Sequence, residues 1–140
     1  MKVLLPVDGS NYTNRMLSYI SAHSELLDGT HEYTVFTAVA PIPPHAAHLL
    51  DPVTLETYYR NEAEAVIAPI RSFLDQQRWS AREVHVPGDA ADAIAAFAEA
   101  EGQELIVMGT HGRSALGNAI LGSVSAGVLA RCKVPVLLIR

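Results

Sequence analysis

Gly109, Gly112, Gly117 and Gly122 fall within fourteen residues of a chain that carries nine glycines in 140 positions. Glycine admits left-handed backbone angles and lets another group approach the main chain closely. Gly122-Ser123 also opens a helical pattern. The unpaired N–H groups and positive dipole of a helix start favour an anion. The Ser123 hydroxyl there could cap the helix, contact a phosphate or ligate a metal. Arg113, inside the same stretch, adds a planar cation suited to phosphate. Together these residues predict a phosphate-holding loop. It is not a P-loop, because Gly112-x4-Gly117 runs into Asn118-Ala119 and Gly117-x4-Gly122 into Ser123-Val124, neither with the required lysine. A dinucleotide fingerprint is also missing from the first strand-to-helix turn, which reads Pro6-Val7-Asp8-Gly9-Ser10.

Other reactive side chains carry less. Asp8 closes the first apolar run and faces the glycine loop as a ligand contact. His111 reads as a solvated loop histidine. His45 and His48 have only Asp51 near them in a proline-rich stretch, too little for a metal centre. Glu62 and Glu64 read as a solvated helix face, and Cys132 as a small packed residue. No residue is assigned a catalytic or metal-ligating role.

Five apolar runs, at 3–7, 33–39, 83–86, 105–108 and 134–139, are rich in β-branched residues and mostly continuous, as in strands covered on both faces. Four helical patterns separate them. The first starts near Ser10 and Asn11, and the second near Thr54. The third spans 89–101, with Asp89 as N-cap and Gly102 as stop. The fourth runs from Gly122-Ser123 to Arg131-Cys132-Lys133, ahead of Pro135. Strict alternation predicts one doubly wound α/β domain over residues 1–140, with 40–52 and 109–121 as its irregular stretches. Ligands of such sheets bind outside the carboxyl ends of the strands, where strand order reverses. Asp8 and the glycine loop both sit at such ends.

Hydrophobic residues make up 49% of the chain and charged residues 18%, enough apolar material for one core. A net charge of -5 argues against a nucleic-acid partner. One cysteine excludes an internal disulfide and gives no sign of an oxidising compartment. The N-terminal apolar run is too short for a secretory signal, and no window reaches the length of a membrane span. A cytoplasmic protein with no membrane partner is expected.

The pattern Gly109-x2-Gly112-x9-Gly122-Ser123 resembles the nucleotide signature of the universal stress protein family. The opening Lys2-Val3-Leu4-Leu5-Pro6-Val7-Asp8-Gly9-Ser10, the turn Val86-Pro87-Gly88-Asp89 and the terminal run 134–140 are similar to that family's first strand, third strand and last strand. The resemblance implies a five-stranded parallel sheet of order 3-2-1-4-5 with four helices, and the ATP-binding branch of the family. It implies ATP with Mg²⁺ as cofactor, and a dimeric, nucleotide-dependent stress-response regulator. It places Asp8 on the adenosine beside Pro6 and Val7, and Ala38 or Val39 around the adenine. Met108 and Gly109 would lie by the ribose. Gly112, Gly122, Ser123 and Val124 would donate to phosphate, with Ser125 nearby. Thr37-Ala38 departs from the His-Val common in the family. An apolar terminal strand at a sheet edge invites pairing with its twin, hence a homodimer through that strand. The alternative on this fold is a slow ATP hydrolase or a nucleotide-transferring enzyme. Against it, the first loop lacks the HIGH-like and Ser-Gly-Gly-x-Asp-Ser motifs of adenylating relatives.

Overall fold

A computed structural model describes residues 1–113 and 120–140. Its strands are β1 (Lys2–Pro6), β2 (Glu32–Val39), β3 (Ala81–Pro87), β4 (Leu105–Gly109) and β5 (Val136–Ile139). Its helices are α1 (Asn11–Ala22), α2 (Pro44–Ala47), α3 (Pro52–Gln76), α4 (Ala90–Ala100) and α5 (Ser123–Arg131). The strands form one parallel sheet in the order β3-β2-β1-β4-β5.

The described residues thus hold five helices, not the expected four. The extra one, α2, is a four-residue turn inside the proline-rich stretch 40–52. Pro44 at its first turn fixes φ near helical values and needs no N–H partner there. So short an element has no room for the apolar spacing that reveals longer helices. The expected caps do form. Asp89 accepts from the Asp92 N–H at 3.1 Å, and Gly102, at φ 62°, follows the end of α4.

Each strand feeds two cores. Val3, Leu5, Val7, Tyr33, Val35 and Val107 pack against α1 and α3, through Met16, Ile20, Val66 and Ile70. Leu4, Phe36, Ile106 and Met108 pack the other way, against Ile94 and Ala98 of α4 and Val128 of α5. Burial on both faces is why the strand runs are continuous rather than alternating. With β1 central, the carboxyl ends of β1 and β4 lie side by side, and their connections leave toward opposite faces. That split opens the crevice of a doubly wound sheet. Among the described residues, no helix is long and apolar enough to cross a membrane.

Candidate functional site

The first loop of the site is built around one carboxylate. β1 ends at Pro6, and Gly9, at φ 75°, turns the chain into α1. Ser10 caps that helix, its hydroxyl accepting from the Thr13 N–H at 3.5 Å. Asp8 Oδ1 accepts from the Ser10 N–H at 3.0 Å and from the Thr13 hydroxyl at 3.0 Å. Asp8 Oδ2 accepts from the backbone N–H of Arg113 at 3.0 Å. Burial pushes the Asp8 carboxyl upward, but the bonds from Ser10, Thr13 and Arg113 outweigh it and hold the group below the ordinary carboxylate value. Asp8 therefore stays ionised and ties the glycine loop to the end of β1.

The second loop is assembled by close contact. A Cβ at Gly109 would come within 2.7 Å of the Tyr12 Cβ, and one at Gly112 would collide with Asp8 Oδ2. A Cβ at Gly122 would meet the His111 Cα at 3.0 Å and the Thr110 carbonyl at 3.2 Å. None of these three residues is left-handed; the described glycines with positive φ are Gly9, Gly88 and Gly102. Close approach, not backbone angle, is what selects glycine here. Gly122 is the N-cap of α5, at φ -71° and ψ 163°, and its N–H donates to the Thr110 carbonyl at 2.7 Å. Among the described residues no side chain caps this helix, and its first-turn N–H groups point out of the helix start without an intrahelical acceptor. The Ser125 hydroxyl, buried, donates to the carbonyls of Gly109 at 3.1 Å and Thr110 at 2.8 Å. It clips α5 to the end of β4. Gly117 and Ser114 lie outside the described residues.

Between the loops is a cavity of about 510 Å³, within the usual range for a small-molecule site. Pro6, Val7, Asp8, Ala38, Met108 and Gly109 line it, as do Gly112, Arg113, Gly122, Ser123, Val124 and Ser125. Val39 does not. Its side chain is buried in the core shared with α1 and α3, and its carbonyl accepts from the Gly88 N–H at 3.0 Å. Alternation puts Val39 on the same face of β2 as Val35 and Thr37; of these Thr37 lines the cavity, while Val35 and Val39 pack into the core.

Sequence reasoning missed several wall residues. Val66 of α3 and Ala90 and Ile94 of α4 line the cavity as well; nothing in a helical apolar stripe tells which member reaches a site rather than the core. Thr37 was visible as a hydroxyl residue in the otherwise apolar run 35–39, whereas nothing sets Thr13 apart from its polar neighbours Asn11, Asn14 and Arg15. His111 is half-buried, not solvated: its ring lies 5.1 Å from that of Tyr12, and it too lines the cavity. Asp51 spends its carboxylate on Thr54 at the start of α3, away from this cavity.

The fold and site define a class: open parallel α/β domains with a ligand-sized crevice where a glycine-rich turn meets a helix start. Within that class the chain belongs to the universal stress protein family, whose model matches residues 1–140. It is 34% identical to a universal stress protein of Thermus aquaticus over 140 residues, covering 99% of this chain and 97% of that one. Its fold is similar to that of protein MJ0577 of Methanocaldococcus jannaschii, with a TM-score of 0.77 and 23% identity, covering 99% of this chain and 94% of that one. It is similar also to a universal stress protein family protein of Arabidopsis thaliana solved with AMP bound. There the TM-score is 0.69 and the identity 14%, covering 99% of this chain and 90% of that one.

Proposed function

We propose that this chain is an adenine-nucleotide-binding regulatory protein that takes ATP with Mg²⁺ in the cavity between Asp8 and the glycine loop. The observation that carries the reading is the start of α5, capped by no side chain among the described residues, beside the Gly112 turn, both opening on a cavity whose other end is apolar. Phosphate suits the first end, through the N–H groups of Gly112, Ser123 and Val124 and the guanidinium of Arg113. The base suits the second, between Pro6, Ala38 and Met108, with Asp8, Val7 and Gly109 near the sugar. AMP bound to the Arabidopsis relative supports an adenine nucleotide as occupant.

The donor set fits the nucleotide better than it fits a bare metal ion. Both Asp8 oxygens already accept from protein donors, which leaves the carboxylate poorly placed as a cation ligand. Mg²⁺ would be held mainly by the phosphates it accompanies, as is usual for this ion. It would supply charge neutralisation there. The same bonds make Asp8 a weak base, so rapid hydrolysis is not expected. Isothermal titration should give a Kd for Mg²⁺-ATP in the micromolar range, roughly -8 kcal/mol. Turnover of several per second by pure protein, lost in His111→Ala, would favour the enzyme reading instead.

The regulatory reading includes a homodimer. Among the described residues β5 pairs with β4 on one side only, and its other edge is a template for the same strand of a second copy.

A further inference from the structure

We infer that Thr37 is a specificity-determining residue of this cavity, its hydroxyl hydrogen-bonding the base of the bound nucleotide. The inference rests on the nucleotide reading above and adds a contact to it.

Thr37 is 3% exposed, lies one residue before Ala38 on β2, and lines the cavity. Its flanking core residues on the strand are Val35, Phe36 and Val39. A hydroxyl among them is costly unless something bonds it. Among the described residues, Gln103 Oε1 is the fully sealed side-chain polar atom without a partner. The Thr37 hydroxyl has no protein partner there either, yet it is not sealed, so the space open to it is the cavity its residue lines. Its register neighbour on β3 is His85.

Strand order decides which part of the ligand arrives there. β1 separates β2 from β4, so the ends of β2 and β4 are about 10 Å apart at ordinary strand spacing. A phosphate held at the β4–α5 junction puts the sugar over β1 and the base over β2. β1 ends at Pro6, opposite Phe36, so the base would sit past that end beside β2, with Thr37 on its α3 side near Val66 and Ala38 on its α4 side. The methyl of Ala38 supplies apolar contact, and the hydroxyl of Thr37 supplies a directed bond. A sugar phosphate without a base would not reach Thr37.

The test compares AMP and ribose 5-phosphate on wild type, Thr37→Val and Thr37→Ser. AMP binding is measured by isothermal titration, ribose 5-phosphate binding by NMR titration, and folding by circular dichroism. Valine keeps the shape of threonine and a strong strand preference. It should weaken AMP about 3- to 10-fold, the size of one neutral hydrogen bond. Serine keeps the hydroxyl and should bind AMP close to wild type. Ribose 5-phosphate should bind all three alike. Equal AMP affinity in wild type and Thr37→Val would overturn the inference. So would parallel losses of both ligands, or a serine variant as weak as the valine one. If wild-type protein binds ribose 5-phosphate but discriminates nothing by its base, this inference fails and phosphate binding stands. If it binds neither ligand, the nucleotide reading itself falls.

Discussion

The Asp8 carboxylate occupies the space that a side chain at position 112 would need. A Cβ built on Gly112 would clash with Asp8 Oδ2, and the same oxygen accepts from the N–H of the next residue, Arg113. Two segments 105 residues apart are thereby fixed to each other at the mouth of the cavity.

Gly112→Ala should therefore push the loop off Asp8 and destabilise the fold by about 1–3 kcal/mol, the usual cost of overpacking. Asp8→Ala should cost a similar amount, about 1–3 kcal/mol, by leaving donors unpaired. The double variant removes the carboxylate the new methyl would strike, so its cost should fall short of the sum of the two. Urea denaturation of all four proteins reads this coupling. Strict additivity would show that the contact does not hold the loop.

The depressed Asp8 carboxyl also sets a pH dependence. A group whose pKa is lower folded than unfolded stabilises the fold above its unfolded value and loses that contribution as pH falls through the folded value. The ordinary value is 3.8. The Asp8 contribution should be constant at neutral pH and decline only below about pH 4. Asp8→Asn should lack this acid-side loss. Denaturation midpoints from pH 7 down to 3, for wild type and Asp8→Asn, should converge as the pH falls. Curves that stay parallel would remove Asp8 from the account.

Gly122 and Ser123 should separate structure from contact. Gly122→Val would drive its Cβ into the backbone of Thr110 and His111, forcing α5 away from β4. Both stability and ATP affinity should suffer, the former by about 1–3 kcal/mol. Ser123 is exposed and caps nothing. Ser123→Ala should change stability by less than about 0.5 kcal/mol and weaken ATP by about 1 kcal/mol if the hydroxyl meets phosphate. Thermal melts alongside titrations distinguish the two variants.

Much of this arrangement was legible in the sequence, and the illegible parts have physical causes. Continuous runs such as 3–7 and 105–108 revealed strands buried on both faces, and the family resemblance supplied their order. The glycine cluster, through Gly109, Gly112 and Gly122, lies along the cavity. It did not reveal why glycine is needed, because close approach by Tyr12, Asp8 and His111 depends on residues distant in the chain. Alternation along β2 was readable in principle, but which of Ala38 and Val39 faces the cavity depends on the helices packed on each side. α2 was too short to carry a period. The contributions of Val66 and Ile94 come from the depth to which α3 and α4 reach over the strand ends, a tertiary fact with no local signal.

The edge of β5 leads to an oligomeric prediction. Leu137 and Leu138 pack against opposite cores of the same subunit, so a charge placed on either would test folding as much as assembly. Light scattering of the unmodified protein at tens of micromolar is the cleaner measurement. Twice the chain mass is expected, and a monomer would contradict pairing through β5.

The central claim is that nucleotide phosphate binds between Asp8 and the start of α5, and an amide-resolved NMR titration with Mg²⁺-ATP tests it most directly. The N–H signals of Gly112, Arg113, Ser123 and Val124 should shift together and saturate with one micromolar-range Kd, while those of β3 and the start of α3 stay still. No saturable shift up to millimolar ATP, or shifts confined to residues away from the cavity, would contradict it.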